Sequence, residues 1–168
     1  PYTISTALSA GWAWDIPLTN RTGNGYVYAS SYIDKDAAET ELRRHLGLLD
    51  SDVEARHLSM QVGRVERSWV NNCLAVGLSQ GFIEPLEATA LHIVQATVEG
   101  FIDAFEHGRY TPQEREMFNQ RIAARYEGIR DYIVCHYRLN RRTDTEYWRA
   151  KAANQNLSDT LKTVMTRW

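Results

Sequence analysis

Residues Trp69 to Val94, WVNNCLAVGLSQGFIEPLEATALHIV, constrain the fold of this chain more than any other stretch. Cys73–Leu78 is almost wholly apolar, the pattern of a short strand covered on both faces. Gly77, Ser79 and Gly81 punctuate it, and Pro85 suits the first turn of a helix, where its missing N–H costs nothing. Glu84 and Glu87 flank that helix entrance, where unpaired amides and the helix dipole favour negative charge. The small residues Ala88, Thr89 and Ala90 let a cofactor or an anion approach the backbone closely. Beyond them Leu91–Phe105 is apolar nearly all the way round, so the helix is expected to be buried. The reading is a strand, a tight turn and a long helix.

Before this stretch the chain leans towards strands. Tyr2–Leu8 alternates weakly, as an edge strand does. In GWAWDIP, Gly11–Pro17, period-two alternation puts Trp12, Trp14 and Ile16 on one face and Ala13, Asp15 and Pro17 on the other. Asn20–Gly25 is turn chemistry with Asn24-Gly25 as its hairpin signal, so a second strand is expected over Tyr26–Tyr32. Asp34 suits the N-cap of a helix over Lys35–Leu46, with Gly47 at C′. Its acidic residues come early and Arg43, Arg44 and His45 come late, which complements the dipole. Leu58–Trp69 reads as another strand with Met60, Val62 and Val65 inward. Arg64 and Arg67 fit either a phosphate or substrate contact or an ordinary solvated surface.

After it the chain is helical. His92, in the first turn, reads as a hydrogen-bonded core residue rather than a catalyst. Gly108 ends the long helix, and Thr111-Pro112-Gln113-Glu114 is a capping box opening the next. That helix runs to about Tyr137, with Phe118, Ile122, Tyr126, Ile129, Ile133 and Tyr137 at helical spacing. Thr143-Asp144-Thr145-Glu146 reads as another capping box, before a helix that carries Tyr147 and Trp148. Ser158 caps a last short helix ending near Trp168. The fold class is therefore α+β: a strand-rich part over residues 1–80 with one helix, then a mainly helical part over residues 81–168.

A net charge of −2 and a pI near 6.2 argue against a nucleic-acid or anionic-membrane partner. No apolar run is long enough to cross a bilayer and no leader peptide is evident. Cys73 and Cys135 read as reduced, core-packed thiols of a cytoplasmic protein. The five histidines and two cysteines show no metal-ligand spacing, so no metal site is expected. GNGYVY at Gly23 lacks the third glycine of a dinucleotide loop, and neither a P-loop nor a G-x-S-x-G elbow occurs. The sequence begins without Met, in mid-pattern, as part of a longer chain would. On its own residues it lacks the parts of a self-sufficient enzyme.

Two of these motifs carry a resemblance. NNCLAVGLSQGFIEPLEATA is similar to the segment beside the flavin in flavin-dependent tryptophan halogenases, and GWAWDIP resembles that family's GWxWxIP signature. They occur in the family's order, joined by a compatible stretch at Gly23–Ser30. The resemblance implies the C-terminal part of a larger FAD-dependent, monooxygenase-like fold, residues 81–168 covering the substrate. The family's G-x-G-x-x-G loop and halogenating lysine are not matched; Lys35, Lys151 and Lys162 stand in other contexts. The chemistry implied is chlorination or bromination of an indole or other electron-rich aromatic by flavin-generated hypohalous acid, the reduced flavin coming from a separate reductase. The partners implied are an aromatic small molecule or peptide and, in passing, that reductase; a homodimer is an assembly open to it.

Carried over residue by residue, Glu87 matches a catalytic glutamate near the reacting carbon. A carboxylate there can accept the proton the ring loses; as a plain helix cap it would contribute roughly 0.3–1 kcal/mol. Ala88, Thr89 and Ala90 match the flavin edge, with Thr89 and Ala90 at the halide-binding amides. Ala88 replaces a serine usual in the family. Trp12 and Trp14 match the tryptophans that partition substrate from flavin. Tyr137, Thr143, Tyr147 and Trp148 match substrate contacts, Thr143 standing where members acting on free tryptophan place a glutamate. A neutral threonine cannot pair with an ammonium, which points to an indole derivative, peptide-bound tryptophan or another electron-rich aromatic. A flavin-dependent aromatic hydroxylase, which GWAWDIP weighs against, and a non-catalytic helical interaction module are the rival readings.

Overall fold

The computed structural model describes residues 2–86, 89–108 and 110–167. Glu87 and Ala88 lie outside the described residues. The chain divides into two compact units that interleave in sequence: Pro1–Ser59 with Tyr137–Gln155, and Met60–His136 with Asn156–Trp168.

The first unit is built on three antiparallel strands, β1 (Ile4–Leu8), β2 (Gly11–Pro17) and β3 (Thr22–Tyr28), in that spatial order. The β2–β3 turn lies at Leu18–Arg21, where the Leu18 amide donates to the Arg21 carbonyl. Asn24 and Gly25, expected in the turn, lie within β3 instead. The pairing register places them there: Gly25 stands opposite Trp14, and Asn24 stands opposite Asp15, to which its side chain donates at 3.3 Å. Gly11 is obligatory in the opposite sense, because a Cβ there would stand 2.0 Å from the Val27 carbonyl oxygen. In β2 the buried side chain is Ala13, while Trp12 and Trp14 are half-buried and Ile16 is exposed. Helix α1 (Lys35–Leu46) forms as expected: the Asp34 carboxylate accepts from the amides of Asp36 and Ala37, and Gly47 closes it at φ 70°. Helix α4 (Glu146–Ala152) completes the unit. Its N-cap is Thr145, not Thr143: the Thr145 hydroxyl accepts from the Trp148 amide, whereas Thr143 is exposed.

The second unit replaces expected strands with short pieces. The Leu58–Trp69 strand shrinks to β4 (Gly63–Arg64), paired with β7 (Gly81–Phe82), and Met60, Val62 and Val65 are exposed. The expected Cys73–Leu78 strand is a two-residue β6 (Cys73–Leu74) paired with β5 (Trp69–Val70), then a 3₁₀ turn at Gly77–Ser79. The turn wins because Gly77 takes φ 64° and the Ser79 hydroxyl bonds both ways to the Val76 backbone. Cys73 is exposed, contrary to the core role expected of it, and Leu78 is 84% exposed.

Helix α2 is described over Thr89–Gly108, so Pro85 precedes it rather than opening it. It is amphipathic rather than buried throughout: Ile93, Thr97 and Ala104 face inward, while Leu91, Val98, Ile102 and Phe105 are exposed. His92 is also exposed, its Nε2 2.9 Å from Arg125. Helix α3 (Pro112–Arg138) starts where the Thr111 hydroxyl accepts from the Glu114 amide. Its stripe forms the core of the unit, with Phe118, Ile122 and Tyr126 packed around Trp69, Ile93 and Ala104. Helix α5 (Asp159–Thr166) is capped by Ser158, which also bonds Asp131 on α3.

Candidate functional site

Four of the expected site residues meet in the first unit. Trp12, from β2, places its ring edge-on to Trp148 of α4, with centroids 5.6 Å apart and planes at 88°. Tyr137 lies nearly parallel to Trp148 at 5.8 Å, and Tyr147 stands edge-on to both. Edge-on and offset pairs are the arrangements that the ring quadrupole favours, worth about 0.5–1.5 kcal/mol each beyond burial. Tyr147 and Trp148 are 3% and 1% exposed, so they form the backing of an aromatic wall. Trp148 Nε1 donates to the Leu8 carbonyl at 2.8 Å. Trp12 Nε1 is buried with no hydrogen-bond partner among the described residues, which ordinarily costs about 1–3 kcal/mol. Trp14 lies on the same strand, outside these ring pairs; Thr143 is exposed, and its carbonyl accepts from Arg149.

The wall includes residues that periodicity did not single out. Tyr32 is edge-on to Tyr147 at 5.3 Å, and the Lys151 ammonium lies over the faces of Tyr137 and Tyr147. Arg142 stacks on Trp148. Their sequence signal is weak: the cations flank the Tyr147-Trp148 pair, but only the fold turns them onto the rings.

The turn beneath Trp12 is tied down by charge. Glu41 of α1 accepts from the Ser9 amide at 3.0 Å, the Ser9 hydroxyl at 2.7 Å and the Tyr26 hydroxyl at 3.0 Å. Tyr26 in turn accepts from the Ala10 amide. Burial pushes the Tyr26 phenol up to about 12. The Arg142 guanidinium holds the Asp144 carboxyl below the usual carboxylate range.

The second unit carries the other expected residues. Thr89 and Ala90 are the first two described residues of α2, half-buried and exposed respectively. Amides in a helix's first turn lack intrahelical acceptors and sit at its positive end. Among the described residues the first turn of α2 holds no acidic side chain. The segment leading into α2 is braced by the fully buried Gln80. Its Oε1 accepts from Thr97 and Tyr126, while its Nε2 has no partner among the described residues. Arg64 and Arg67 pair with Glu127 and Glu116, the bland alternative read for them. Among the described residues no cluster could hold a metal ion, and no helix is long and apolar enough to cross a membrane.

The sequence model described as Tryptophan halogenase matches residues 1–168, the whole length. The chain belongs to the tryptophan halogenase family. It is 43% identical over 168 residues to a tryptophan 6-halogenase of Streptomyces toxytricini, covering 100% of this chain and 32% of that protein. Superposed on the crystal structure of that enzyme, it gives a TM-score of 0.93 over 34% of the solved chain. A 7-chloro-L-tryptophan 6-halogenase of a Kutzneria species is 45% identical over 149 residues, 89% of this chain and 29% of the relative. A flavin-dependent halogenase of a Brevundimonas species is 40% identical, with a TM-score of 0.91, over 100% of this chain and 34% of its own. The chain thus spans about a third of the halogenases it matches.

Proposed function

We propose that this chain is the C-terminal third of an FAD-dependent halogenase acting on an indole or another electron-rich aromatic. The observation that carries the reading is the unbroken family match, which includes both the GWAWDIP strand and the turn into α2. Bound reduced flavin, molecular oxygen and a halide would together supply the electrophilic halogen, oxygen taking two electrons from the flavin and two from the halide. In this reading Ala88, Thr89 and Ala90 form the flavin edge, and the amides of Thr89 and Ala90 hold chloride or bromide. Glu87 accepts the proton that the ring carbon loses. Trp12 and Trp14 separate substrate from flavin, while Tyr137, Tyr147 and Trp148 back the aromatic wall against which the substrate lies.

Thr143 narrows the substrate class. An exposed neutral side chain offers no charge to an α-ammonium, so we favour an indole derivative or peptide-bound tryptophan over the free amino acid. A separate reductase supplies the reduced flavin. The cytoplasm suits a protein with an exposed thiol such as Cys73, since it keeps thiols reduced.

A chimera tests the reading. The aligned third of the Streptomyces toxytricini enzyme is replaced by this chain, and a reductase with its hydride donor, FAD, dissolved oxygen and either chloride or bromide are added. The products expected by mass spectrometry are halogenated indoles or halogenated tryptophan-containing peptides. Hydroxylated product formed without halide would overturn the halogenase reading in favour of a hydroxylase. Free tryptophan as the best substrate would overturn the part built on Thr143. In an active chimera, Glu87→Gln should lower kcat by about 10²–10⁴-fold with little change in KM, the usual range for losing a general base.

A further inference from the structure

The Arg142 guanidinium meets four groups at once. Its Nη1 donates to the Ala7 carbonyl at 2.6 Å and lies 3.4 Å from that of Leu8. Its Nε and Nη2 form a fork on the Asp144 carboxylate at 2.9 and 2.6 Å. Its Cζ lies 4.8 Å from the centroid of the Trp148 ring. Trp148 Nε1 donates to the same Leu8 carbonyl, and the Thr145 hydroxyl donates to that of Ser9 at 2.7 Å. The end of β1 and the turn into Gly11-Trp12 are thus bonded to the segment that carries Trp148.

We propose that Arg142 is a positioning residue that fixes the plane of Trp148 and, through the Ala7 and Leu8 carbonyls, its right-angle contact with Trp12. The Nε1 bond and the rings of Trp12, Tyr137 and Tyr147 enclose the indole, and the cation on its ring face favours one tilt within that enclosure. Only a planar guanidinium can fork on a carboxylate, reach a carbonyl and stack on a ring together; lysine offers a point charge. The functional weight of this rests on reading the aromatic wall as the substrate site.

The test uses the 168-residue chain itself and no catalysis. Arg142→Lys and Arg142→Gln are compared with the parent for urea unfolding, indole N–H exchange at Trp148, and ring-to-ring NOEs between Trp12 and Trp148. The expected result for Arg142→Lys is a folded chain in which Trp148 N–H exchange is faster by about tenfold or more and the Trp12–Trp148 NOEs are lost, without an equal loss of global stability. Unchanged exchange and NOEs in Arg142→Lys would overturn the proposal. So would loosening in step with global stability, or failure of both variants to fold, since the arginine would then be a plain fold residue. A failed chimera leaves this result standing, and failure here leaves the halogenase reading intact.

Discussion

Tyr26 shows how one residue can hold more of a site than its place in a pattern suggests. Read from sequence it is an aromatic residue of a strand, and Glu41 an early acid of a surface helix. Fifteen residues apart, they meet only because β3 and α1 pack together, and their hydrogen bond at 3.0 Å then orders Ser9 and Ala10 ahead of Trp12. With the folded pKa raised to about 12, the phenol stays protonated where an unfolded tyrosine ionises, near about 10. Its contribution to stability is therefore fully present below pH of about 10 and is lost as pH rises towards about 12. Urea unfolding at rising pH should show that decline. Tyr26→Phe should flatten it and cost about 1–3 kcal/mol at neutral pH, because the Ala10 amide loses its acceptor.

Among elements, one side-chain amide makes the hydrogen-bonded join between β5 and α3. Asn119, buried on α3, accepts from the Trp69 backbone N–H at 2.8 Å and donates to the Trp69 carbonyl at 2.9 Å. It serves as the missing strand partner of Trp69, whose ring fills the centre of the core. Asn119→Ala would leave both backbone groups buried and unpaired, and should lower stability by about 2–4 kcal/mol in urea unfolding. Asn119→Asp, which keeps the acceptor but sets a buried carboxylate oxygen against the Trp69 carbonyl, should cost at least as much at neutral pH. The α3 stripe from Phe118 to Tyr137 was legible because helical periodicity is local. Asn119 was not, since its polar side chain falls beside the stripe and its partner lies 50 residues away. The β-structure of the second unit was misjudged for the same reason. Apolar runs such as Cys73–Leu78 report a wish to be covered, but strand pairing needs a neighbour that local sequence does not name.

At the scale of the molecule, the chain enters the first unit, leaves at Ser59 and returns at Tyr137. The residues of the aromatic wall thus come from both ends of that excursion. A chain stopped after His136 should lose the Trp12–Trp148 contact and the Leu8–Trp148 bond, leaving residues 1–59 far more sensitive to limited proteolysis than in the 168-residue chain. Sequence alone determined the caps and the helical stripe that local chain can encode: Asp34 and Gly47 around α1, Thr111 and Ser158 at helix starts, and the apolar spacing of α3. It also carried the two motifs that mark the family, because close backbone approach and aromatic signatures are written in consecutive residues. The tertiary structure decided what depends on distant partners. It placed Gly25 against Trp14, left Cys73 and one face of α2 exposed, moved the cap of α4 to Thr145, and turned Arg142 onto Trp148. Each of those outcomes is a competition between contacts far apart in the chain, and only folding brings the competitors together.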